Sequence, residues 1–254
     1  MILGLLLGNT SLRYGTFDSR GASDVRSSGH VPWEDLASRQ AELSSLAASG
    51  DIRGVVVGSV RDDLLASVER LLPRTLPEPV VARRDFAIPI TNRYSDPEEV
   101  GTDRLLNAVA AAERAGSQGA IVLDAGTALS ISVVSPDGAI LGGSIAAGLP
   151  AMAAGLAVST PRLPGFEARA EEPIVATGTV AALRAGVYRQ TIGGTSRLLK
   201  QTLEEIPFGS PRVFATGGDA AWIAAAVPEI DEVIPLLTFE GLIAAYRQSD
   251  QPES

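Results

Sequence analysis

Two stretches of the chain, LLLGNTSLR at residues 5–13 and VLDAGTALS at residues 122–130, follow the same scheme. Each begins as a continuous apolar run, passes through a small turn with a glycine and a threonine, and then returns. A continuous apolar run is typical of a buried strand, and a short Gly-containing turn between two such runs is typical of a β-hairpin. Two units of this kind, 117 residues apart, predict a duplicated domain.

A third glycine turn, Thr216-Gly217-Gly218-Asp219, follows a short apolar stretch at 213–215 and opens a helix. Taken alone, the first two turns could be unrelated hairpins, because Gly and Thr are common in turns. The third turn makes that alternative less attractive. Glycines let backbone N–H groups and a Thr hydroxyl approach an anion closely. Facing turns of this kind could therefore grip the phosphates of one nucleotide, with the third turn forming a floor for its base or ribose.

The apolar patterns along the rest of the chain predict an α/β protein in two parts. We expect domains at residues 1–116 and 117–254, and a polar surface loop around His30. The predicted strands lie at 2–7, 12–17, 55–57, 119–123, 129–134, 139–141 and 213–215. The predicted helices lie at 33–48, 61–72, 98–116, 145–157, 179–204 and 239–247.

Composition excludes several classes of function. The net charge is −9 and the nearest thing to a basic cluster is Arg83–Arg84, whereas nucleic-acid backbones are held by clustered Lys and Arg. The chain has no cysteine and one histidine, which removes thiolate nucleophiles and multi-histidine metal sites. We therefore expect no nucleic-acid partner.

The start of the chain, MILGLLLGNT, lacks the basic region and the cleavage site of a signal peptide. No later stretch is apolar for long enough to span a membrane. These features predict a cytoplasmic protein with no membrane partner. Two other nucleotide-binding patterns are missing as well: the one lysine, Lys200, is not in a P-loop, and no G-x-G-x-x-G follows a predicted strand.

Three charged residues near the turns are candidate site residues. Asp124 ends an apolar strand at the second turn, where a carboxylate must be paired, bind a cation or cap its own turn. Asp103 lies at the start of a predicted helix, where the helix dipole alone could favour it. Arg104 follows it and could be a solvated helix charge.

Taken in order, the motifs of the chain resemble those of the type III pantothenate kinases over nearly its whole length. The matching pieces are GNT (8–10), PEEVGTDR (97–104), VLDAGTALSI (122–131), GAILGGSIAAGL (138–149), RLP (162–164), TVAALRAGVY (179–188), ATGGD (215–219) and LTFEGL (237–242). The resemblance implies an actin-like, sugar-kinase-like fold. Each of its duplicated ribonuclease-H-like domains is a mixed β-sheet flanked by helices.

The resemblance also implies ATP-dependent phosphorylation of pantothenate, the first step of coenzyme A biosynthesis. Asp103 would be the general base, and pantothenate would be bound by Tyr94, Gly101, Thr102, Asp103, Arg104 and Thr179, the last from the partner subunit of a homodimer. Asp124 would bind a monovalent cation, K⁺ or NH₄⁺, and Mg²⁺ would enter with ATP. ATP would be contacted by Leu6, Leu7, Gly8, Asn9, Thr10, Ser11, Leu12, Arg13 and Thr127.

The first turn departs from the family pattern at one position. The family reads Asp-x-Gly-Asn-Thr there, and this chain has Leu6 in place of the aspartate. A carboxylate that helps to place a metal neutralises charge on the transferred phosphoryl group, so its loss can lower the rate by orders of magnitude. Two hypotheses follow: a working pantothenate kinase, or an impaired family member that binds a ligand or a protein partner.

Overall fold

The computed structural model describes residues 1–18, 21–36, 38–39, 52–168 and 172–249, with the backbone alone for residues 21–26. The chain divides into two compact units. One contains Met1–Glu113 and the chain from Leu237 onward, and the other contains Arg114–Leu236. The division falls near the boundary predicted at residue 116. The C-terminal helix, however, belongs to the first unit, whereas the sequence prediction assigned it to the second domain.

The described strands and helices are numbered here in chain order. The strands are β1 (Ile2–Leu7), β2 (Ser11–Asp18), β3 (Gly21–Pro32), β4 (Gly54–Ser59), β5 (Pro79–Val81), β6 (Thr91–Asn92), β7 (Ala120–Ala125), β8 (Ala128–Val134), β9 (Ala139–Ala147), β10 (Arg212–Thr216) and β11 (Glu232–Val233). The α-helices are α1 (Asp62–Leu71), α2 (Thr102–Ala115), α3 (Leu149–Ser159), α4 (Thr179–Glu205), α5 (Ala220–Ala224) and α6 (Leu237–Ser249). Short 3₁₀ helices occupy Trp33–Asp35, Pro97–Glu99 and Gly116–Gln118.

The two units have the same sheet topology. In the first, the strands lie in the order β3-β2-β1-β4-β5, and in the second the order β9-β8-β7-β10-β11 repeats it. In each, the first three strands form an antiparallel meander. The last two strands add in parallel to the opposite side of the central strand. The sequence prediction of a duplicated α/β unit with a mixed sheet is therefore confirmed.

The sheet of the first unit is covered on both faces, which explains why β1 is apolar at every position but one. Leu3, Leu5 and Leu7 pack in one core cluster with Val68 of α1. On the opposite face, a Cβ placed on Gly4 would lie 3.1 Å from the Phe239 ring of α6. The glycine therefore lets α6 approach the sheet.

The helices of that second face also approach one another closely. A Cβ on Gly241 of α6 would lie 1.8 Å from the carbonyl oxygen of Leu106 in α2. No side chain fits at that distance, so a glycine is required where the two helices cross. This contact fixes α2, whose first turn carries the GTDR motif.

The second unit buries an equivalent core. Ile121 and Leu123 of β7 pack in one cluster with Leu199 of α4 and Ile223 of α5. All four side chains are at most 1% exposed. Strand β7, whose second-last residue is Asp124, is thus packed against these two helices.

The structure corrects two sequence predictions. His30 is exposed, as expected, but it lies in β3 rather than in a loop. The strand is polar because it is an edge strand. Val31, next to His30 and on the other face of the strand, is fully buried. The helix predicted from residue 145 begins at Leu149, because Ile145–Ala147 continue β9 in register with β8. Most of the helix predicted over 33–48 lies outside the described residues.

Candidate active site

The first glycine turn connects β1 to β2 at the carboxyl end of β1. The Gly8 N–H donates to the Ser11 carbonyl oxygen at 3.0 Å, and Leu6 lies opposite Arg13 in the register of the two strands. The Val60 N–H donates to the carbonyl oxygen of Leu7 at 3.0 Å, so the end of the parallel strand β4 lies beside the turn. Carboxyl ends of adjacent parallel strands are the usual location of ligand sites in α/β sheets.

Leu6 is part of the apolar core under this turn. Its side chain is 4% exposed. A Cβ on Gly58 would lie 2.9 Å from Leu6 Cδ2 and 2.9 Å from Leu106 Cδ1. The floor of the first turn is therefore a packed hydrocarbon surface.

A small cavity of about 30 Å³ lies at the end of β1. It brings together the predicted general base, Asp103, and several of the predicted ATP residues. Its lining residues are Leu6, Leu7, Gly8, Arg13, Gly58, Ser59, Val60, Asp103 and Leu106. One carboxylate and one guanidinium thus share this cavity with the first glycine turn.

Asp103 occupies the first turn of α2, half-buried. Its Oδ1 accepts the backbone N–H of Arg104 at 2.8 Å. A Cβ on Gly101 would lie only 2.7 Å from the same oxygen, so the glycine leaves room for the carboxylate. A helix N-terminus carries partial positive charge that stabilises a carboxylate beside it, and a carboxylate is a group that can act as a general base.

Arg104 and Tyr94 form a contact next to Asp103. Arg104 is 8% exposed. Its Nη2 donates to the Tyr94 hydroxyl, and its Cζ lies 5.2 Å from the centre of the Tyr94 ring. An arginine fork held in this way suits a carboxylate ligand. Thr102 is buried at 7% exposure beside it.

Asn92 holds the loop that carries Tyr94, and sequence reasoning did not select it. Its Oδ1 accepts the Tyr94 N–H at 3.1 Å, and its Nδ2 donates to the Pro97 carbonyl oxygen at 3.0 Å. An Asn that bonds to the backbone two residues later is a known turn pattern. This residue could therefore have been found from the sequence.

Arg83 holds the other end of the same loop. Its Nη1 donates to the Val100 carbonyl oxygen at 2.7 Å, and its Nη2 donates to the carbonyl oxygen of Glu98 at 3.1 Å and to that residue's Oε2 at 2.8 Å. Its own backbone has φ 69°, a conformation that costs free energy in a non-glycine residue. No sequence pattern links an arginine to carbonyl groups so far along the chain.

The second glycine turn connects β7 to β8. The Gly126 N–H donates to the Ala128 carbonyl oxygen at 3.0 Å, and the Gly148 N–H donates to the carbonyl oxygen of Thr127 at 3.0 Å. A Cβ on Gly148 would lie 2.0 Å from the Gly126 carbonyl oxygen. The backbone that leads into α3 thus lies directly against this turn.

Asp124 lies near other oxygen atoms at the end of β7. It is half-buried and lies opposite Thr216 in the parallel pair of β7 and β10, so both side chains are on one face of the sheet. Gly217 has φ 95°, and a Cβ on it would lie 2.7 Å from Asp124 Oδ1. The Thr216 hydroxyl is buried, with no hydrogen-bond partner among the described residues. These oxygen donors fit a hard monovalent cation.

Two further residues of the second unit complete the inventory. Asp219, which was not predicted as a site residue, is 2% exposed. Its backbone N–H donates to the Ala125 carbonyl oxygen at 3.0 Å. Thr179 is exposed and is the first residue of α4, after the N-cap Gly178. Across the described ranges, no three His, Cys, Asp or Glu side chains gather as ligands for a metal ion.

The helices that the structure describes include none with both the length and the apolar character needed to cross a membrane.

The two mixed sheets of the same topology define the fold class, the actin-like and sugar-kinase-like fold. A glucokinase of the ROK family from Streptomyces griseus, solved with glucose and AMPPNP, matches with TM-score 0.55 at 12% identity over 99% of both chains. The activator of 2-hydroxyisocaproyl-CoA dehydratase from Clostridium difficile, solved with ADPNP, matches with TM-score 0.53 at 14% identity over 100% of this chain and 99% of that one. A Campylobacter jejuni protein described as a Baf family transcriptional activator matches with TM-score 0.59 at 18% identity over 97% of this chain and 98% of that one. These similarities show the fold alone.

Sequence comparison identifies the family within this class. The family model for type III pantothenate kinases matches residues 2–201. A type III pantothenate kinase from Bacillus cytotoxicus is 33% identical over 201 residues, which are 79% of this chain and 76% of that one. Another from Rhodospirillum rubrum is 31% identical over the full length of both chains. The chain belongs to the type III pantothenate kinase family.

Proposed function

We propose that this chain transfers the γ-phosphoryl group of ATP to the primary hydroxyl of pantothenate, giving 4′-phosphopantothenate and ADP. The observation that carries the proposal is the cavity at the end of β1, which Asp103 shares with Gly8 and Arg13. A base and a phosphate-binding turn at one location are the parts that phosphoryl transfer requires, since its catalysis depends on positioning and charge neutralisation. Family membership supports the substrate.

In the proposed reaction, Asp103 accepts the proton of the pantothenate hydroxyl. The hydroxyl oxygen forms a bond to the γ-phosphorus as the bond from that phosphorus to the β–γ bridging oxygen breaks. The electron pair of the broken bond stays on ADP. Because Arg104 N–H and the helix N-terminus hold the carboxylate in place, no side-chain rearrangement is needed at the moment of transfer.

Substrate recognition falls to the loop and helix around Asp103. Arg104 would bind the pantothenate carboxylate, with its guanidinium oriented by Tyr94. Thr179 of a second subunit would contribute a further contact. ATP would enter with Mg²⁺. Residues 6–13, which include the first turn, and Thr127 would contact it. A monovalent cation at Asp124 would neutralise part of the phosphate charge.

The proposal is tested by 4′-phosphopantothenate formation, measured by mass spectrometry with ATP, Mg²⁺, K⁺ and pantothenate. We expect Asp103→Asn to lower kcat by about 10²–10⁴-fold, the usual contribution of a general base. ATP binding, measured by calorimetry, should stay unchanged. The control is Asp62→Asn, which removes an exposed carboxylate from the first turn of α1 and should leave kcat unchanged. Equal turnover by wild type and Asp103→Asn would contradict the assignment of the base.

Leu6 favours a second candidate, a family member that binds its ligands without efficient turnover. The residue that replaces the family's aspartate is packed into the core, so no carboxylate at this position can help to hold Mg²⁺. Under this alternative the wild-type chain binds ATP in the calorimeter and forms no 4′-phosphopantothenate.

We also propose a homodimer formed through the second unit. The exposed large hydrophobic residues of the described chain all belong to this unit: Ile145, Val158, Ile174 and Val175. Helix α3, LPAMAAGLAVS, carries no charged residue, although most of it is exposed. A second copy of the chain would cover such a surface. Light scattering should find a dimer for the wild type and a monomer for Val158→Asp; a monomeric wild type would overturn this proposal.

A further inference from the structure

The carbonyl groups of the first turn are held from outside the hairpin. The Gly8 carbonyl oxygen accepts the indole Nε1–H of Trp33 at 3.0 Å, and the Thr10 carbonyl oxygen accepts the backbone N–H of Trp33 at 3.2 Å. Between them, the Asn9 carbonyl oxygen accepts Nη1 of Arg61 at 3.3 Å. Three successive carbonyl groups of the turn are therefore oriented by two residues.

These hydrogen bonds also orient the N–H groups of the turn. In a trans peptide the N–H points opposite to the C=O of the same planar unit. With the carbonyl groups of Gly8 and Asn9 fixed towards Trp33 and Arg61, the N–H groups of Asn9 and Thr10 are directed away from those donors. Trp33 follows β3 and Arg61 follows β4, on opposite sides of β1 in the sheet, so the N–H group that the indole orients is that of Asn9. A backbone N–H group held in this way at a turn can donate to an anion.

The two donors are held in different ways. Trp33 is partly buried against the core cluster of the first unit, with Leu3 and Leu5 among its members. Arg61 forms a two-point contact with Asp63, at 2.8 Å from Nε and 2.7 Å from Nη2. The hydrogen bond from Arg61 lowers the pKa of the Asp63 carboxyl, and the pair is exposed to solvent. Of the two donors, Trp33 is therefore the one fixed by core packing.

We infer that Trp33 is a positioning residue for nucleotide phosphate binding, and that Arg61 supports it at the middle carbonyl group. The inference rests on the proposed function, because the anion it concerns is the phosphate chain of ATP. Trp33 acts through the turn and makes no contact with the reacting atoms. Neither residue belongs to a motif of the sequence.

The variant Trp33→Phe removes the indole N–H and keeps an aromatic ring against the core. One hydrogen bond is worth about 0.5–1.5 kcal/mol net, so we expect the KM and Kd for ATP to rise about two- to tenfold. The KM for pantothenate should stay unchanged, because Asn92 and Arg83 hold the loop before Asp103 independently. A purely structural role of Trp33 would lower the melting temperature without this selective change in ATP affinity.

A second variant keeps Trp33 and makes its fluorescence a measure of ATP binding. The chain has two tryptophans, and Trp222 packs edge-on against Tyr188 in the second unit, with ring centres 4.9 Å apart. Trp222→Phe is therefore both the matched control, with unchanged ATP affinity, and a protein in which Trp33 alone fluoresces. ATP should change that fluorescence with a midpoint equal to the calorimetric Kd.

Three results would overturn the inference. The first is equal ATP affinity in wild type and Trp33→Phe. The second is a Trp33 fluorescence that does not respond while calorimetry detects ATP binding. The third is a wild type that binds no ATP, which would overturn the proposed function as well; the first two would leave that function standing.

Discussion

The two glycine turns each connect the first two strands of a unit, and they differ in what lies beneath and around them. The first turn has the buried hydrocarbon of Leu6 under it and is held by the side chains of Trp33 and Arg61. The second has the half-buried carboxylate of Asp124 under it and is held by the backbone at Gly148. The same sheet topology surrounds both. The first turn has three residues between its strands, 8–10, and the second has two, 126–127, so the same topology accommodates turns of different length and with different groups below them.

The difference also separates two ways of rigidifying a turn. The backbone contact at Gly148 leaves no space for a side chain, whereas a Cβ on Gly8 would lie 3.3 Å from its nearest neighbour, the Ser11 carbonyl oxygen. The second turn therefore depends on the absence of a side chain at Gly148. The first turn depends on the side chains of Trp33 and Arg61. Substitutions at the two turns should consequently have unequal effects.

The largest effect is expected for Gly148→Ala. The added methyl group would lie 2.0 Å from the Gly126 carbonyl oxygen, so the strand end must move. Overpacking of this kind costs about 1–3 kcal/mol and occasionally more. We expect a cost at the upper end, because the atoms nearest the added methyl group belong to the backbone of Gly126 and Thr127. Thermal denaturation should show a clearly lower melting temperature. Gly8→Ala is the matched change in the first turn and should cost less than about 1 kcal/mol. An equal loss of unfolding free energy in the two variants would contradict the proposed difference between the turns.

Leu6→Asp should have the next largest effect. The carboxylate would replace a side chain packed against Gly58 and Leu106, and burying a polar group without a partner costs about 1–3 kcal/mol. Desolvation raises the pKa of the new carboxyl group. The folded state then takes up the proton more readily than the unfolded state, so the destabilisation should be greater at neutral pH than at mildly acidic pH. Melting temperatures of Leu6→Asp and of Leu6→Asn, which has no such titration, test this; parallel pH profiles would count against it.

Asp124→Asn should have the smallest effect on folding and a selective effect on cation dependence. The amide keeps the shape of the carboxylate and removes the charge that would hold K⁺. We expect the K⁺ concentration for half-maximal activity to rise about tenfold, which is about 1.4 kcal/mol. Glu78→Gln, a change in the first unit, is the control. An unchanged K⁺ requirement in Asp124→Asn would mean that the second turn does not differ from the first in binding a cation.

The parts of this fold that follow local rules could be predicted from the sequence. The apolar runs at β1 and β7 and their glycine turns gave the duplicated sheet, because a buried strand leaves a continuous apolar pattern. The polar edge strand β3 was missed, since its exposed residues, His30 among them, resemble a loop. The packing of α6 in the first unit could not be predicted, because it depends on the contact of Gly241 with Leu106, far apart in the chain.

The candidate site divides in the same way. Gly101, Asp103 and Arg104 could be selected because they are adjacent and match a motif. Arg83, Trp33 and Arg61 could not, because their partners are backbone carbonyl groups brought near by the sheet. Every residue has a backbone carbonyl group, so the sequence does not show which carbonyl group a side chain will contact. Such contacts are seen only in the structure.

The central claim is that a first turn with Leu6 in place of a carboxylate still serves a working kinase. The most direct measurement is steady-state ADP release with ATP, Mg²⁺ and pantothenate by wild type and by Leu6→Asp. We predict pantothenate-dependent turnover by the wild type and no gain in Leu6→Asp. A wild type that releases no ADP, together with turnover gained in Leu6→Asp, would contradict the claim and identify the chain as an impaired member of its family.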